Sequence, residues 1–178
     1  VIQIRKDGTQ SFDQNWSTYE SGFGTVGSST EHWLGLSAIA RLGSGTLRIE
    51  ATDCIPTSYY GEWSAFELDS LNNYAISLNV TSYIGTIGDS LSHHSGESFS
   101  TPDADHDSSS GTCATHSGWW FKDCREADLN GKYYATCDAP SSDGVIWYSV
   151  QNDFTFSFNT AKMMVAVDDK ESYESSSS

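Results

Sequence analysis

The chain has 178 residues and a formal net charge of −15, because 24 acidic residues face only 9 lysines and arginines. This charge argues against nucleic acid or anionic lipid as partners, since both require a basic patch that displaces counterions. No apolar run approaches the ~20 residues of a membrane span, so direct membrane insertion is not expected. With 6 Trp, 9 Tyr and 8 Phe, a single domain of this length can bury an aromatic-rich core.

The first forty residues predict one strand and two short helices. Residues 1–5 alternate between apolar and polar side chains, which is typical of a strand. Asp13 is a candidate N-cap for a short helix that ends at Gly22. A second helix is expected over residues 37–42, with Gly43 as its C-terminal stop.

The hydrophobic period changes to two between residues 46 and 80, where TLRIEAT, WSAFELD and NYAISLNV predict antiparallel strands. Residues 85–118 lose this periodicity and are rich in Gly, Ser and Asp, which predicts a long ordered loop. A final strand over residues 154–167 is expected to enter the central sheet. The acidic, serine-rich tail at 169–178 is expected to be disordered.

The segment 99–134 carries the clearest chemical signal, because Asp103, Asp105 and Asp107 alternate within it. Alternate residues of an extended chain point to the same side, so three carboxylates would repel one another unless a cation joins them. Oxygen ligands favour Ca²⁺ over zinc or copper. A solvated acidic loop is the alternative interpretation. An EF-hand is excluded because its invariant Gly and Glu positions hold other residues here.

Several further motifs follow in a fixed order around these aspartates. They are Phe99-Ser100-Thr101 before the aspartates, then Cys113-Ala114, Gly118-Trp119-Trp120-Phe121, Cys124 and Leu129-Asn130-Gly131. Together with the opening VIQIRKDGTQSFDQNW, this order resembles the fibrinogen C-terminal domain, the globular head of fibrinogen, ficolins, tachylectins and angiopoietins. In that family the opening motif normally follows a first subdomain, which this sequence lacks.

The resemblance implies an α+β fold with a central twisted antiparallel sheet, short helices and a loop-rich calcium-binding subdomain. It places the fibrinogen-related domain at residues 1–168. Residues 1–84 and the final strand at about 154–167 would form the sheet subdomain. Residues 85–153 would form the subdomain for calcium and ligand.

The same resemblance implies the calcium ligands, position by position. Asp105 and Asp107 would contribute carboxylates, and Ser109 and Gly111 would contribute backbone carbonyls. Asp103 would be a supporting neighbour.

Four cysteines form an even set. Cys113 and Cys124 flank a short Gly-containing loop and predict a disulfide. The alternative is a metal knuckle that combines the two cysteines with His106 and His116, although its spacing matches no common zinc pattern.

Cys54 and Cys137 are then expected to pair with each other, a bridge that the family does not require. Asn15 and Asn79 begin N-x-S/T sequons and are candidate glycosylation sites. These features point to an oxidising compartment and a secreted, extracellular protein.

An enzyme is not expected from this sequence. There is no G-x-S-x-G elbow, and His93 and His94 lie in a polar stretch without a nucleophile context, which predicts surface histidines.

The lectins of the family bind acetyl groups beside the calcium loop, through backbone N–H groups around the second cysteine, which follows a cis peptide. The resemblance therefore implies a cis bond between Asp123 and Cys124. Arg125 stands where the lectins usually have His, and Arg125 would favour an anionic ligand. The residues predicted for this ligand site are His116, Phe121, Asp123, Cys124 and Arg125, with Trp147 and Tyr148 as candidate walls.

Two functions are consistent with these features. The first is calcium-dependent, lectin-like binding of glycans, acetylated ones among them, in innate defence. The second is a protein-interaction, matrix or clotting-type domain that uses the same rim for a protein ligand. A homo-oligomer is compatible with either function.

Overall fold

The computed structural model describes residues 1–27 and 29–168. The expected disordered tail at 169–178 lies outside the described residues. Within them, no helix combines the length and the apolar character that crossing a membrane would require.

An antiparallel sheet of long and short strands forms the centre of the fold, as the α+β prediction requires. Its order is β2-β3-β1-β10-β4-β5-β6, with β7 paired to β5 beside β6. The strands of this sheet are β1 (Gln3–Arg5), β2 (Phe23–Gly24), β3 (His32–Trp33), β4 (Gly45–Thr52), β5 (Ser58–Asp69), β6 (Ala75–Ser77), β7 (Ile84–Gly85) and β10 (Thr160–Val167). The remaining elements are α1 (Trp16–Ser21), α2 (Leu36–Ala40), a 3₁₀ helix (Ser92–His94), β8 (Ala127–Asp128), β9 (Ile146–Trp147) and α3 (Tyr148–Gln151).

Strand β4 shows why this sheet forms, because its side chains alternate between the core and the outer face. Leu47 and Ile49 are fully buried, and each contributes roughly 1.5–3 kcal/mol by burial. Between them Arg48 points outward, where its guanidinium contacts Glu50 at 2.8 Å and also Glu62 of β5. Such partly exposed ion pairs are worth only ~0–1 kcal/mol, so the buried face stabilises the sheet.

Helix α1 begins two residues later than an N-cap at Asp13 predicts. Its N-cap is Asn15, whose side-chain oxygen accepts the backbone N–H of Thr18 at 3.0 Å. Gly22 ends the helix as expected, with a φ of 93° that favours glycine. In this register Tyr19 of the helix faces the core and is fully buried.

Two predicted strands are shorter than the hydrophobic pattern suggested. Asn73 and Tyr74 have φ values of 47° and 54° and form a turn, so β6 begins only at Ala75. The final strand begins at Thr160 rather than at residue 154. Before it, Phe158 donates its backbone N–H to the carbonyl of Val145 at 2.9 Å. The alternating aromatic residues that precede β10 therefore pair with the loop-rich region instead of the sheet.

Both predicted disulfides are present. Cys113 is bonded to Cys124, and Cys54 is bonded to Cys137 across a sequence separation of 83 residues. The second bond joins the β4–β5 loop of the sheet to the loop-rich region that contains β8 and β9. It thus constrains the relative positions of two parts of the chain that share few backbone pairs.

Removing the long-range bridge is expected to cost more stability than its exposed position suggests. In the chain-entropy model, closing a loop of this length stabilises the fold by ~4–5 kcal/mol. The Cys54→Ser/Cys137→Ser variant should lose about that much unfolding free energy in urea titrations. Thr136→Ala, beside the intact bridge, is the control. A loss no larger than in the control would contradict the prediction.

Candidate functional site

The candidate calcium loop is anchored at its ends by backbone and indole hydrogen bonds. Ser100 and Trp119 exchange two backbone hydrogen bonds, at 2.9 and 3.1 Å. The buried indole of Trp120 donates its Nε1–H to the carbonyl of Tyr74 at 2.8 Å, which ties the loop to the sheet. The chain between 101 and 118 therefore leaves and returns at fixed points, although it contains little apolar material.

Asp105 and Asp107 shape this loop through hydrogen bonds from its own residues. The two oxygens of Asp107 accept the backbone N–H groups of Ser109 at 3.0 Å and Cys113 at 2.9 Å. Asp105 accepts the N–H of Asp107 and the hydroxyl of Thr112, both at 3.2 Å. A carboxylate has about four lone-pair positions, so both side chains keep acceptor capacity for a cation.

Asp103 does not join them, and the expectation that three alternating carboxylates face one point is wrong. Thr101 and Ala104 form a tight backbone pair, so the chain is turned there and the period of two is lost. Asp103 instead accepts the N–H of Trp16 at 2.9 Å and supports the start of α1. Among the described residues, no group of three or more His, Cys, Asp or Glu side chains is placed to hold a metal.

The remaining residues still fit a calcium ion. Burial raises the pKa of Asp107, and the neighbouring negative charge of Asp105 adds to that rise. A divalent cation between these carboxylates would offset both effects, and oxygen donors are the ligands that Ca²⁺ prefers. With Ser109 and Gly111 as carbonyl ligands, calcium binding in this loop stays a prediction.

The bond between Cys113 and Cys124 excludes the zinc-knuckle alternative, because neither cysteine offers a thiolate. Among the described residues, no peptide bond is cis, so the implied cis bond between Asp123 and Cys124 is a trans bond. At this position the chain turns through a left-handed backbone conformation instead of a cis bond. Cys124 adopts a φ of 56°, and its N–H points to the sulfur of Cys113 at 3.0 Å.

Arg125 belongs to the ligand rim, which we define as residues 123–125. Its guanidinium lies 3.3 Å from Asp128 and 5.4 Å above the ring of Phe121. Asp128 and Phe121 are fully buried, and the hydroxyl of Ser117 also donates to Asp128 at 2.6 Å. Burial raises the pKa of Asp128, and Arg125 counteracts that rise. The guanidinium of Arg125 therefore already has partners within the protein, which leaves fewer of its donors for a ligand.

The two predicted aromatic walls of the ligand site, Trp147 and Tyr148, differ in their exposure to solvent. Trp147 is fully buried, and its Nε1–H donates to Gly88 at 2.9 Å, so it has no surface to offer a ligand. Tyr148 stacks on Phe154 with ring centroids 4.5 Å apart, and Phe154 is 40% exposed. Tyr148 also donates its backbone N–H to Glu126 at 2.9 Å, which places this ring pair beside the rim. Sequence reasoning missed Phe154, although an aromatic residue directly after Asn-Asp is a usable surface signal.

His116 lies apart from these residues, in a cavity of about 560 Å³. Of the seven predicted ligand residues, His116 alone lines this cavity. Three carboxylates also line it, and we call it the acidic cavity: Asp7, Asp13 and Asp143. The imidazole of His116 is 4.0 Å from Asp13, and both side chains are exposed.

His94 is buried, which corrects its assignment as a surface histidine. Its Nδ1 lies 2.7 Å from the carbonyl of Trp120, and its Nε2 lies 3.0 Å from the N–H of Ala127. These partners require a neutral ring with the proton on Nδ1. Burial lowers the pKa of His94 to about 3. His93 remains partly exposed and lies 3.6 Å from Glu126.

Comparison with known proteins identifies the family. Residues 1–167 match the family of the fibrinogen beta and gamma chains, C-terminal globular domain, and the chain belongs to it. Rat fibrinogen-like protein 1 is 38% identical over 167 residues, covering 84% of this chain and 53% of that protein. The chain thus spans about half the length of that relative.

Two solved structures share the fold. The fibrinogen-like globe domain of human ANGPTL2 has a TM-score of 0.87 and 35% identity, covering 93% of this chain and 78% of that one. Lamprey fibrin D-dimer, complexed with the peptide Gly-His-Arg-Pro-amide, has a TM-score of 0.85 and 29% identity. It covers 100% of this chain, which in turn covers 66% of the lamprey chain. The predicted family and fold class are therefore confirmed.

Calcium should stabilise the folded protein by mass action, by about 2.7 kcal/mol when its concentration is a hundredfold above the dissociation constant. Asp107→Asn should remove most of this gain in thermal unfolding, because it replaces an ionised ligand by a neutral one. Asp123→Asn, an exposed carboxylate outside the loop, should keep the gain. The absence of any binding heat with the unmutated protein at millimolar calcium would show that the loop is only a solvated acidic turn.

His94 predicts a loss of stability in acid. The unfolded chain binds a proton near pH 6.5 but the folded chain only near pH 3, so stability is complete above pH 6.5 and falls between those values. This single group should contribute ~1.4 kcal/mol per pH unit to the slope. The unfolding free energy, measured by urea titration in EDTA at a series of pH values, should fall less steeply with decreasing pH for His94→Gln than for the unmutated protein. His93→Gln should show the same dependence on pH as the unmutated protein. Equal slopes in all three proteins would refute the assignment.

Proposed function

We propose that this chain is a secreted, calcium-stabilised, non-enzymatic recognition domain whose ligand is a basic segment of another protein. The acidic cavity carries the proposal, because it combines a volume of about 560 Å³ with three carboxylates in its lining. The formal net charge of −15 would also steer basic partners toward the domain.

Two of the three carboxylates of this cavity, those of Asp7 and Asp143, are held in place as acceptors by hydrogen bonds from neighbouring residues. Asp7 accepts the hydroxyl of Thr9 at 2.6 Å and its N–H at 3.1 Å, and these bonds lower the pKa of Asp7. Asp143 accepts the hydroxyl of Tyr134 at 2.7 Å. Asp13 is exposed. Acceptors fixed in this way bind guanidinium or ammonium groups at a low cost in side-chain entropy.

Two basic side chains, those of Arg5 and Lys132, also line the cavity. Arg5 is buried, and its guanidinium lies 3.6 Å from the buried Glu31. It also donates to the carbonyls of Leu129 and Gly131. The charge of Arg5 is thus balanced within the protein. Lys132 lies 5.1 Å above the ring of Tyr134, and the three carboxylates of the lining outnumber this one remaining cation.

Calcium would act on this cavity indirectly. The calcium loop touches the start of α1 through Asp103 and Trp16, and the chain just before α1 forms one wall of the cavity. On the other side, the loop continues through Cys113 to His116, which also lines the cavity. An ion that orders the loop would therefore hold two walls in place without touching the ligand.

The lamprey fibrin structure supports a peptide as the ligand class, since it is complexed with Gly-His-Arg-Pro-amide. That peptide carries a free amino group and an arginine. We use it as a probe of the cavity's chemistry rather than as the natural ligand.

A second candidate function is lectin-like binding of glycans, including acetylated glycans, in innate defence. The observation that favours it is the ring pair of the half-buried Tyr148 and the exposed Phe154 beside the ligand rim. Aromatic surfaces of this kind offer an apolar face to a sugar ring, while the backbone of the rim offers polar contacts. This site would lie on different residues from the acidic cavity, so the two functions can be separated.

Calorimetric titration with Gly-His-Arg-Pro-amide, in calcium and in EDTA, tests the proposal. Asp13→Asn/Asp143→Asn should weaken binding by about a hundredfold or more, because each of the two lost ionic contacts is worth ~1.5 kcal/mol or more. Asp138→Asn, an exposed carboxylate outside the cavity, should bind normally. The analogue Gly-His-Glu-Pro-amide should bind weakly. Equal binding of both peptides, or no effect of the double variant, would overturn the proposal. N-Acetylglucosamine binding that is lost in Phe154→Ala would favour the glycan function instead.

A further inference from the structure

Residues 70–88 contain no Asp, Glu, Lys or Arg, although the whole chain carries 24 acidic and 9 basic residues. This uncharged segment provides β6 and β7, which pair with two different parts of the same outer edge of β5. The edge of a sheet exposes unpaired backbone groups, and natural proteins usually protect it with charged side chains. The outer side of β6 is closed by the chain at 96–97, because Ile76 donates its N–H to the carbonyl of Glu97 at 3.0 Å and accepts the N–H of Gly96 at 2.7 Å. The part of the edge that lacks protective charges is therefore β7 and the turn before it.

The structure shows how part of this edge is closed. Between the segments that pair with β6 and β7, Ser64 of β5 donates its N–H to the hydroxyl of Ser82 at 2.9 Å. The carbonyl of Ser64 accepts the N–H of Asn79, also at 2.9 Å. The turn at 79–82 therefore satisfies the middle of the edge. Val80 and Ile84 remain 45% and 59% exposed beside that turn.

Asn79 is placed at the centre of this surface. It is exposed, and its Oδ1 accepts both the N–H of Thr81 at 3.1 Å and the hydroxyl of Thr81 at 2.8 Å. Its backbone N–H donates to Ser64 of β5 and its carbonyl accepts from Ser82 within the turn, and these bonds to described residues leave the Nδ2 group unused. Asn79-Val80-Thr81 is an N-x-S/T acceptor sequence.

We propose that Asn79 carries an N-linked glycan that covers this uncharged sheet edge, which we define as β7 and the turn at 79–82 before it. In the transfer, Nδ2 of Asn79 bonds to C1 of an oligosaccharide activated on a lipid pyrophosphate. The bond from C1 to the pyrophosphate oxygen breaks, the lipid pyrophosphate leaves with the electron pair, and Nδ2 loses one proton. The bulky, hydrated product replaces the charges that this edge lacks.

The other sequon lies in a different environment. Asn15 is also exposed, but it caps α1 beside the charged residues Asp13 and Asp103. A glycan there would add polarity to a surface that is already acidic. The shielding role thus belongs to Asn79. The two disulfides fit a chain that folds where such glycans are added.

The test uses the chain secreted from a eukaryotic host. Mass spectrometry of peptides, before and after an amidase that converts glycosylated Asn to Asp, should find Asn79 modified. Light scattering across a concentration series then compares the secreted protein with the same folded protein after enzymatic removal of its glycans. Removal should shift the population from monomers to dimers and larger species. Asn79→Gln should behave likewise, whereas Thr81→Ser, which keeps the acceptor sequence, should remain monomeric.

The rescue variant decides whether the edge itself associates. Asn79→Gln/Ile84→Lys places a lysine on β7, the device that natural edge strands use, and should restore the monomer. An unmodified Asn79 in the secreted protein would overturn the proposal. A glycosylated protein that stays monomeric after glycan removal, or that associates regardless of the lysine at position 84, would overturn the shielding role.

Discussion

Trp120 donates its indole N–H to the carbonyl of Tyr74 at 2.8 Å, and its ring packs against Phe99 at 5.2 Å and Trp33 at 6.3 Å. This contact fastens the loop-rich region to the buried face of the sheet. Within the region, regular pairing is limited to the two-residue strands β8 and β9. Backbone hydrogen bonds alone could not hold such a chain against its conformational entropy. The position of the candidate calcium loop and of the ligand rim therefore depends on this aromatic packing.

Buried polar groups then fix the orientation of the loops in the region that the aromatic packing attaches to the sheet. His94 joins the carbonyl of Trp120 to the backbone N–H groups that begin β8. Asp128, at the end of β8, holds the hydroxyl of Ser117 and the guanidinium of Arg125. Each group would be costly to bury without its partners, so each specifies one arrangement of the loops. Because Arg125 pairs with the buried carboxylate of Asp128, it is less available to a ligand than an exposed arginine would be.

Much of the fold could be predicted from local pattern because the sheet is covered on one face only. The alternation of Leu47, Arg48, Ile49 and Glu50 gives β4 its register directly. The order of the motifs around Trp119 and Trp120 identified the family, and the close spacing of Cys113 and Cys124 indicated their bond. Asp105 and Asp107 were also recognised as partners of one loop, since their hydrogen bonds are with residues nearby in sequence.

Tertiary structure alone decided the features that depend on partners far along the chain. A period of two placed Asp103 with the other aspartates, but the turn at Thr101 and Ala104 directs it to the start of α1. The polar surroundings in sequence suggested a surface position for His94, and the family resemblance implied a ligand wall for Trp147, yet both are buried against distant backbone carbonyls. The sequence by itself determined which residues favour strands, turns and oxygen-ligand chemistry. Which of them face water was settled by the packing of two regions, a long-range property that no local period encodes.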